Sequence, residues 1–155
     1  MNTHRNRELN MKRILMTALL LTFLLTGCSK NAVPKIDEYS WTMSTVQTTE
    51  NNGQIVAHGP DNTYTPEDSV VIRMTCEAKG GVLTITDHTT GQTYTGTYKT
   101  AGTIPESATY EITVDGADGM AVVAMTSYHN GEQTPTLVMS VGEWAISFVL
   151  AYAAQ

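Results

Sequence analysis

Lysine and arginine are scarce in this chain: nine of 155 residues, against fifteen aspartates and glutamates. Nucleic-acid binding draws on clustered cations that replace counterions along the phosphates, so an acidic surface of this kind excludes it. The motifs that announce chemistry are missing as well. There is no Gly-x-Ser-x-Gly elbow, Walker loop, dinucleotide fingerprint, His-x-x-x-His or Cys-x-x-Cys pair. The acids are scattered, and nothing selects two of them as a glycosidase pair. No catalytic residue, metal ligand or cofactor is therefore expected. Helical patterning is nearly absent too. Only Thr65-Pro66-Glu67-Asp68 suits a single turn, with Thr65 as N-cap and Pro66 at the first helical position.

Long apolar runs are also lacking, with one instructive exception near the start. Met11-Lys12-Arg13 is a compact positive segment, and Ile14 to Leu25 follows it as an uncharged, mostly apolar stretch. At 1.5 Å per residue that stretch spans roughly 18 Å of helix, well short of the ~30 Å hydrocarbon core. It reads as the apolar segment of a signal peptide and not as a permanent span. A start at Met11 keeps the whole pattern, since Arg5 and Arg7 add nothing to it.

The run closes on Leu25-Thr26-Gly27-Cys28. This resembles the lipobox of bacterial lipoproteins, in which Leu, a small residue and Gly or Ala precede Cys. The resemblance covers residues 11–28. It implies a diacylglycerol on the Cys28 thiol, cleavage between Gly27 and Cys28, and an extracytoplasmic protein held to a membrane of the cell envelope. At about 0.8 kcal/mol per buried methylene, two acyl chains make a stable anchor where one would not. Losing the leader removes Arg5, Arg7, Lys12, Arg13 and Glu8, which takes the formal net charge from −6 to −9. Such a surface repels anionic headgroups, so the lipid and not the protein surface would be the membrane partner. With Cys28 acylated, Cys76 has no partner, and a hydrophobic core must stabilise the domain without a disulfide. The organisation expected is a leader over 1–27, a polar tether over 28–37 and a β-domain over 38–155.

From Tyr39 onward the chain is rich in Thr, Val, Ile and Tyr, residues that suit a pleated surface. Strand-length runs predict strands at Tyr39–Thr48, Gln54–His58, Val70–Ala78, Val82–Asp87, Thr93–Lys99, Thr109–Val114, Ala121–Tyr128, Thr136–Val141 and Trp144–Ala151. Between them stand Gly80-Gly81, Asp87 to Gly91, the pair Asp115-Gly116 and Asp118-Gly119, Asn130-Gly131 and Gly142. Connections this short join antiparallel neighbours. Eight or nine such strands must hide their edges, which favours a lipocalin-like up-and-down barrel, with a two-sheet β-sandwich as the alternative. Tyr94-Thr95-Gly96-Thr97-Tyr98, followed by Tyr110 to Gly116, resembles the Gly-x-aromatic strand and next hairpin of small lipocalin-like bacterial lipoproteins.

Alternation assigns faces. Val70, Ile72, Met74 and Cys76 share one side, as do Tyr110, Ile112 and Val114; so do Leu137, Met139 and Val141, and Trp144, Ile146, Phe148 and Leu150. Cys76 then reads as a small buried hydrophobe. Residues Ala121–Tyr128 are apolar on both faces, which predicts a strand covered on both sides. His58, His88 and His129 fall at strand ends and turns, and Asp87 and His88 should face opposite ways. Asp115 to Gly119 lacks the third acid and the distal glutamate of a calcium loop. Trp41, Tyr94 and Tyr98 are the candidates to line an apolar cavity, or else they fill a small barrel. The function expected is non-enzymatic binding of a small ligand or an envelope component. The alternatives are an inhibitor or interaction module that offers loop 59–69 or 127–133 to a cell-wall enzyme, and an enzyme without a recognisable signature.

Overall fold

The computed structural model describes residues 33–50, 53–63 and 66–151. The expected leader, the cleavage site at Gly27 and Cys28, and Thr65 lie outside them. A 3-10 turn, Ile36–Glu38, precedes ten strands: β1 Trp41–Thr48, β2 Ile55–His58, β3 Val70–Val71, β4 Met74–Lys79, β5 Val82–Asp87, β6 Gln92–Ile104, β7 Ser107–Val114, β8 Ala117–Ser127, β9 Gln133–Val141 and β10 Trp144–Leu150. Strands β4 to β10 follow one another as antiparallel neighbours. The last pairs with the first, from Trp41 opposite Leu150 to Thr48 opposite Trp144. Eight strands, β1 and β4 to β10, thus close into a lipocalin-like barrel. Closure leaves no sheet edge among those eight, which a sandwich would not achieve.

β1 has to serve three neighbours. Besides β10, it bonds β4 at Trp41 and Thr42 and β2 at Thr45, Val46 and Gln47. The exchange falls at a bulge between Met43 and Thr45. Gly59 makes it possible: its amide donates to the Ser44 carbonyl at 2.9 Å, and a Cβ there would run into the Met43 carbonyl oxygen. Beyond the bulge the wall parts between β1 and β4, and β2 with β3 occupies the gap.

This gap corrects three expectations. Val70–Ala78 is not one strand; it breaks at Ile72-Arg73 because β3 follows β2 while β4 follows β5. The β2–β3 pair is parallel, which the crossover over 59–69 permits. Pro66 to Ser69 forms a hydrogen-bonded turn and not the start of a helix. Elsewhere β6 runs on to Ile104, past the expected Lys99, with a bulge between Thr100 and Gly102. Asp115-Gly116 alone makes the β7–β8 turn, with φ of 47° and 83°, while Asp118-Gly119 belongs to the strand. Nor is β8 covered twice: Met120, Val122 and their neighbour Val138 on β9 are exposed on the outside of a single wall.

The core fills the barrel toward the end where the chain enters. Ile36, Trp41, Leu83, Val123, Leu137, Met139 and Phe148 have no solvent exposure. The Ile36 turn plugs that end through its backbone. The Trp41 indole Nε1–H donates to the Ile36 carbonyl at 2.9 Å, and the Ile36 amide donates to the Tyr110 hydroxyl at 3.2 Å. Burial pushes the Tyr110 phenol above its ordinary value, so it stays protonated.

Candidate functional site

At the opposite end the barrel is open. The Asp87–Gln92, Val114–Ala117 and Val141–Trp144 connections surround a cavity of about 540 Å³ there. This lies within the range of small-molecule sites, about 300–1,000 Å³. Period-two alternation builds the walls. Met139 and Val141 of β9, Ile146 and Trp144 of β10 and Val46 of β1, the cross-strand partner of Ile146, point in from one side; Ile85 of β5 and Tyr94 of β6 face them, with Met74 of β4 between. The inserted pair contributes Val56, Ala57 and Val70, with Ile72 at the strand break. The gap in the wall is thus sealed with aliphatic side chains.

Besides the Trp144 indole, the lining has three polar side chains, one each from β5, β6 and the β7–β8 turn: Asp87, Tyr94 and Asp115. Asp87 is buried. Its Oδ1 accepts from the Thr89 and Thr90 amides at 2.7 and 3.3 Å, and its Oδ2 accepts from the Thr90 hydroxyl at 2.8 Å. Burial alone would raise its pKa. The hydrogen bonds from Thr90 and Thr89 outweigh that and hold the carboxyl below its ordinary value. Asp115 Oδ1 accepts from the Thr95 amide at 3.0 Å.

Of the three aromatic candidates, the structure places only Tyr94 in this cavity. Trp41 and Tyr98 sit at the plugged end, where Tyr98 donates to Asp37 Oδ2 at 3.3 Å and packs edge-on against Tyr110. Tyr94 and Tyr98 stand four positions apart on one strand face, enough to reach opposite ends of a short barrel. The sequence reading missed Trp144 and Asp87 as lining residues. Trp144 does point inward, as alternation requires, but it stands at the rim with 42% of its surface exposed. Asp87 carried a signal in the alternation of Leu83, Ile85 and Asp87, all three inward.

Other groups are dispersed. The His58 ring meets the Ser69 hydroxyl at 2.8 Å, the His88 ring meets the Thr75 hydroxyl at 2.8 Å, and His129 is exposed. Among the described residues no three His, Cys, Asp or Glu side chains gather as metal ligands do. Cys76 is buried, and burial pushes its thiol up to about 12, with Glu77 adding to the shift. Within the 59–69 connection Asn62 is tied to β1, its Nδ2 donating to the Ser44 carbonyl at 3.2 Å. The tight turn over 128–132 is closed by Tyr128 and Glu132 backbone bonds. The open end therefore offers a shaped apolar volume with hydrogen-bond acceptors on one side. No family model matches this chain, and neither do curated proteins or solved structures.

Proposed function

We propose that this protein binds a small, mostly apolar molecule inside its barrel, without transforming it, while anchored by lipid on Cys28 at the outside of a bacterial membrane. The cavity carries the reading. A barrel this small can fill itself with side chains, as it does at the Trp41 end, yet the other end leaves about 540 Å³ walled by valine, isoleucine and methionine. The lipobox resemblance of Leu25 to Cys28 supports the anchor.

Native mass spectrometry on residues 30–155, purified gently, tests the binding. A reproducible mass excess that vanishes on denaturation, or uptake of the neutral probe N-phenyl-1-naphthylamine with quenching of Trp144, is the expected result. A bare mass together with failure to take up the probe overturns the proposal. The anchor is tested separately by fractionation: Cys28→Ala should leave the membrane fraction, and its retention there would refute lipidation.

A further inference from the structure

We infer that the cavity, taken as the small-ligand site proposed above, selects cationic amphiphiles, an apolar body carrying an amine, over carboxylates of the same length. Three observations lead there. First, the lining contains two charged side chains, Asp87 and Asp115, and both are acids. No lysine, arginine or histidine lines it; Arg73 falls between the lining residues Ile72 and Met74 and is exposed. Neither acid has a cation within ion-pair distance among the described residues, where Lys35 with Glu38 is the one ion pair. A fatty-acid headgroup would meet two carboxylates with no cation paired to them, the buried Asp87 and the exposed Asp115 at the mouth, and an ammonium would find its counterion.

Second, the polar groups are gathered on one side. Asp87 ends β5, Tyr94 lies on β6, and Asp115 heads the turn after β7, so three consecutive strands present them together. Asp115 Oδ2 has no hydrogen-bond partner among the described residues, since only Oδ1 is used, by the Thr95 amide. It is free to accept from a ligand. Four strands further round the barrel, opposite β6, Trp144 of β10 stands half-exposed at the rim. An indole face there favours a cation as well.

Third, three connections around this rim carry acids, against one exposed cation, Arg73, whose amide donates to the Thr89 hydroxyl at 2.8 Å beside the Asp87–Gln92 connection. Glu50 follows β1, Asp115 follows β7 and Glu143 follows β9, and the Thr49 amide ties the first of these connections to the Glu143 carbonyl at 2.9 Å. The lysines Lys35 and Lys79 lie at the plugged end, beside the Ile36 turn and after β4. An acidic mouth over low-dielectric walls concentrates cations at the entrance.

Displacement of N-phenyl-1-naphthylamine from residues 30–155 tests this; that segment closes its own sheet and supplies its whole core. Dodecylamine, dodecanol and dodecanoate, each below its micelle concentration, share one apolar body and differ in headgroup charge. Dodecylamine should displace the probe at about tenfold lower concentration than dodecanoate, a difference of about 1.4 kcal/mol, with dodecanol between them. Asp115→Asn keeps an Oδ1 acceptor for Thr95 and tolerates positive φ, and it should bring amine and alcohol together. Equal or better displacement by dodecanoate overturns the inference, as does an amine preference unchanged in both Asp115→Asn and Asp87→Asn. Displacement by all three without a headgroup preference sinks the inference alone. If the probe never binds, the ligand-binding reading falls with it.

Discussion

The plug at the closed end makes the sharpest stability test, because two hydrogen bonds meet on one residue. Trp41→Phe removes the indole donor from the Ile36 carbonyl, in a place where neither residue has solvent exposure. Leaving a buried acceptor unsatisfied costs about 1–3 kcal/mol. The smaller ring leaves a gap worth on the order of 1 kcal/mol more. The total, about 2–4 kcal/mol, corresponds to a fall in Tm of roughly 10 °C for a domain of this size. Tyr110→Phe removes the acceptor of the Ile36 amide and keeps the ring beside Tyr98. Each variant alone should lower the urea midpoint, read by far-UV circular dichroism. Together they should cost less than the sum by about 0.5 kcal/mol or more, since either loss already frees the same turn. A loss under about 1 kcal/mol for Trp41→Phe, or strict additivity in the double variant, would refute the plug as the cause. Probe affinity at the open end should not change in either variant, because neither residue lines the cavity.

Three further outcomes follow from named groups. Cys76 should resist thiol reagents until the protein unfolds. Its thiol ionises near 9.0 when free and near 12 when folded, so the unfolded state sheds its proton first, and stability should decline as pH rises between those values. A folded protein that is labelled promptly at pH 8 would contradict this. Asp87 has the opposite sign: its folded carboxyl lies below the ordinary 3.8, so its contribution is present above 3.8 and is lost as pH falls from there through the lower folded pKa. Asp87→Ala should flatten the acid limb of a Tm-versus-pH curve, and an unchanged limb would count against the hydrogen-bonded loop. Gly96→Ala places a Cβ against the Thr113 carbonyl oxygen across the β6–β7 pair. Prising those strands apart should cost about 1–3 kcal/mol, and an unaltered denaturation midpoint would show that the pair yields freely.

Much of the strand content was legible because alternation is local. In β5, β7 and β9 the apolar residue at every second position lies inside the barrel, and Asp115-Gly116 makes the turn its residue types suit. Such patterns need only neighbours along the chain, and they survive whatever else the protein does. They said much less about ends and partners. Tyr94 and Tyr98 read alike, four residues apart on one face, but one lines the cavity and the other closes the plug. Val70 to Ala78 reads as one run and is divided between two neighbours.

The sequence by itself determined an all-β domain of short, consecutive, mostly antiparallel strands, because period-two hydrophobicity and turn chemistry are written residue by residue. Only the tertiary structure decided that β10 closes on β1, that β2 and β3 seal the parted wall, and that one end is filled while the other stays open. Those outcomes depend on contacts between residues far apart in the chain, such as Trp41 with Leu150 and Ile36 with Tyr110, and no local pattern encodes which distant strand a given edge will meet.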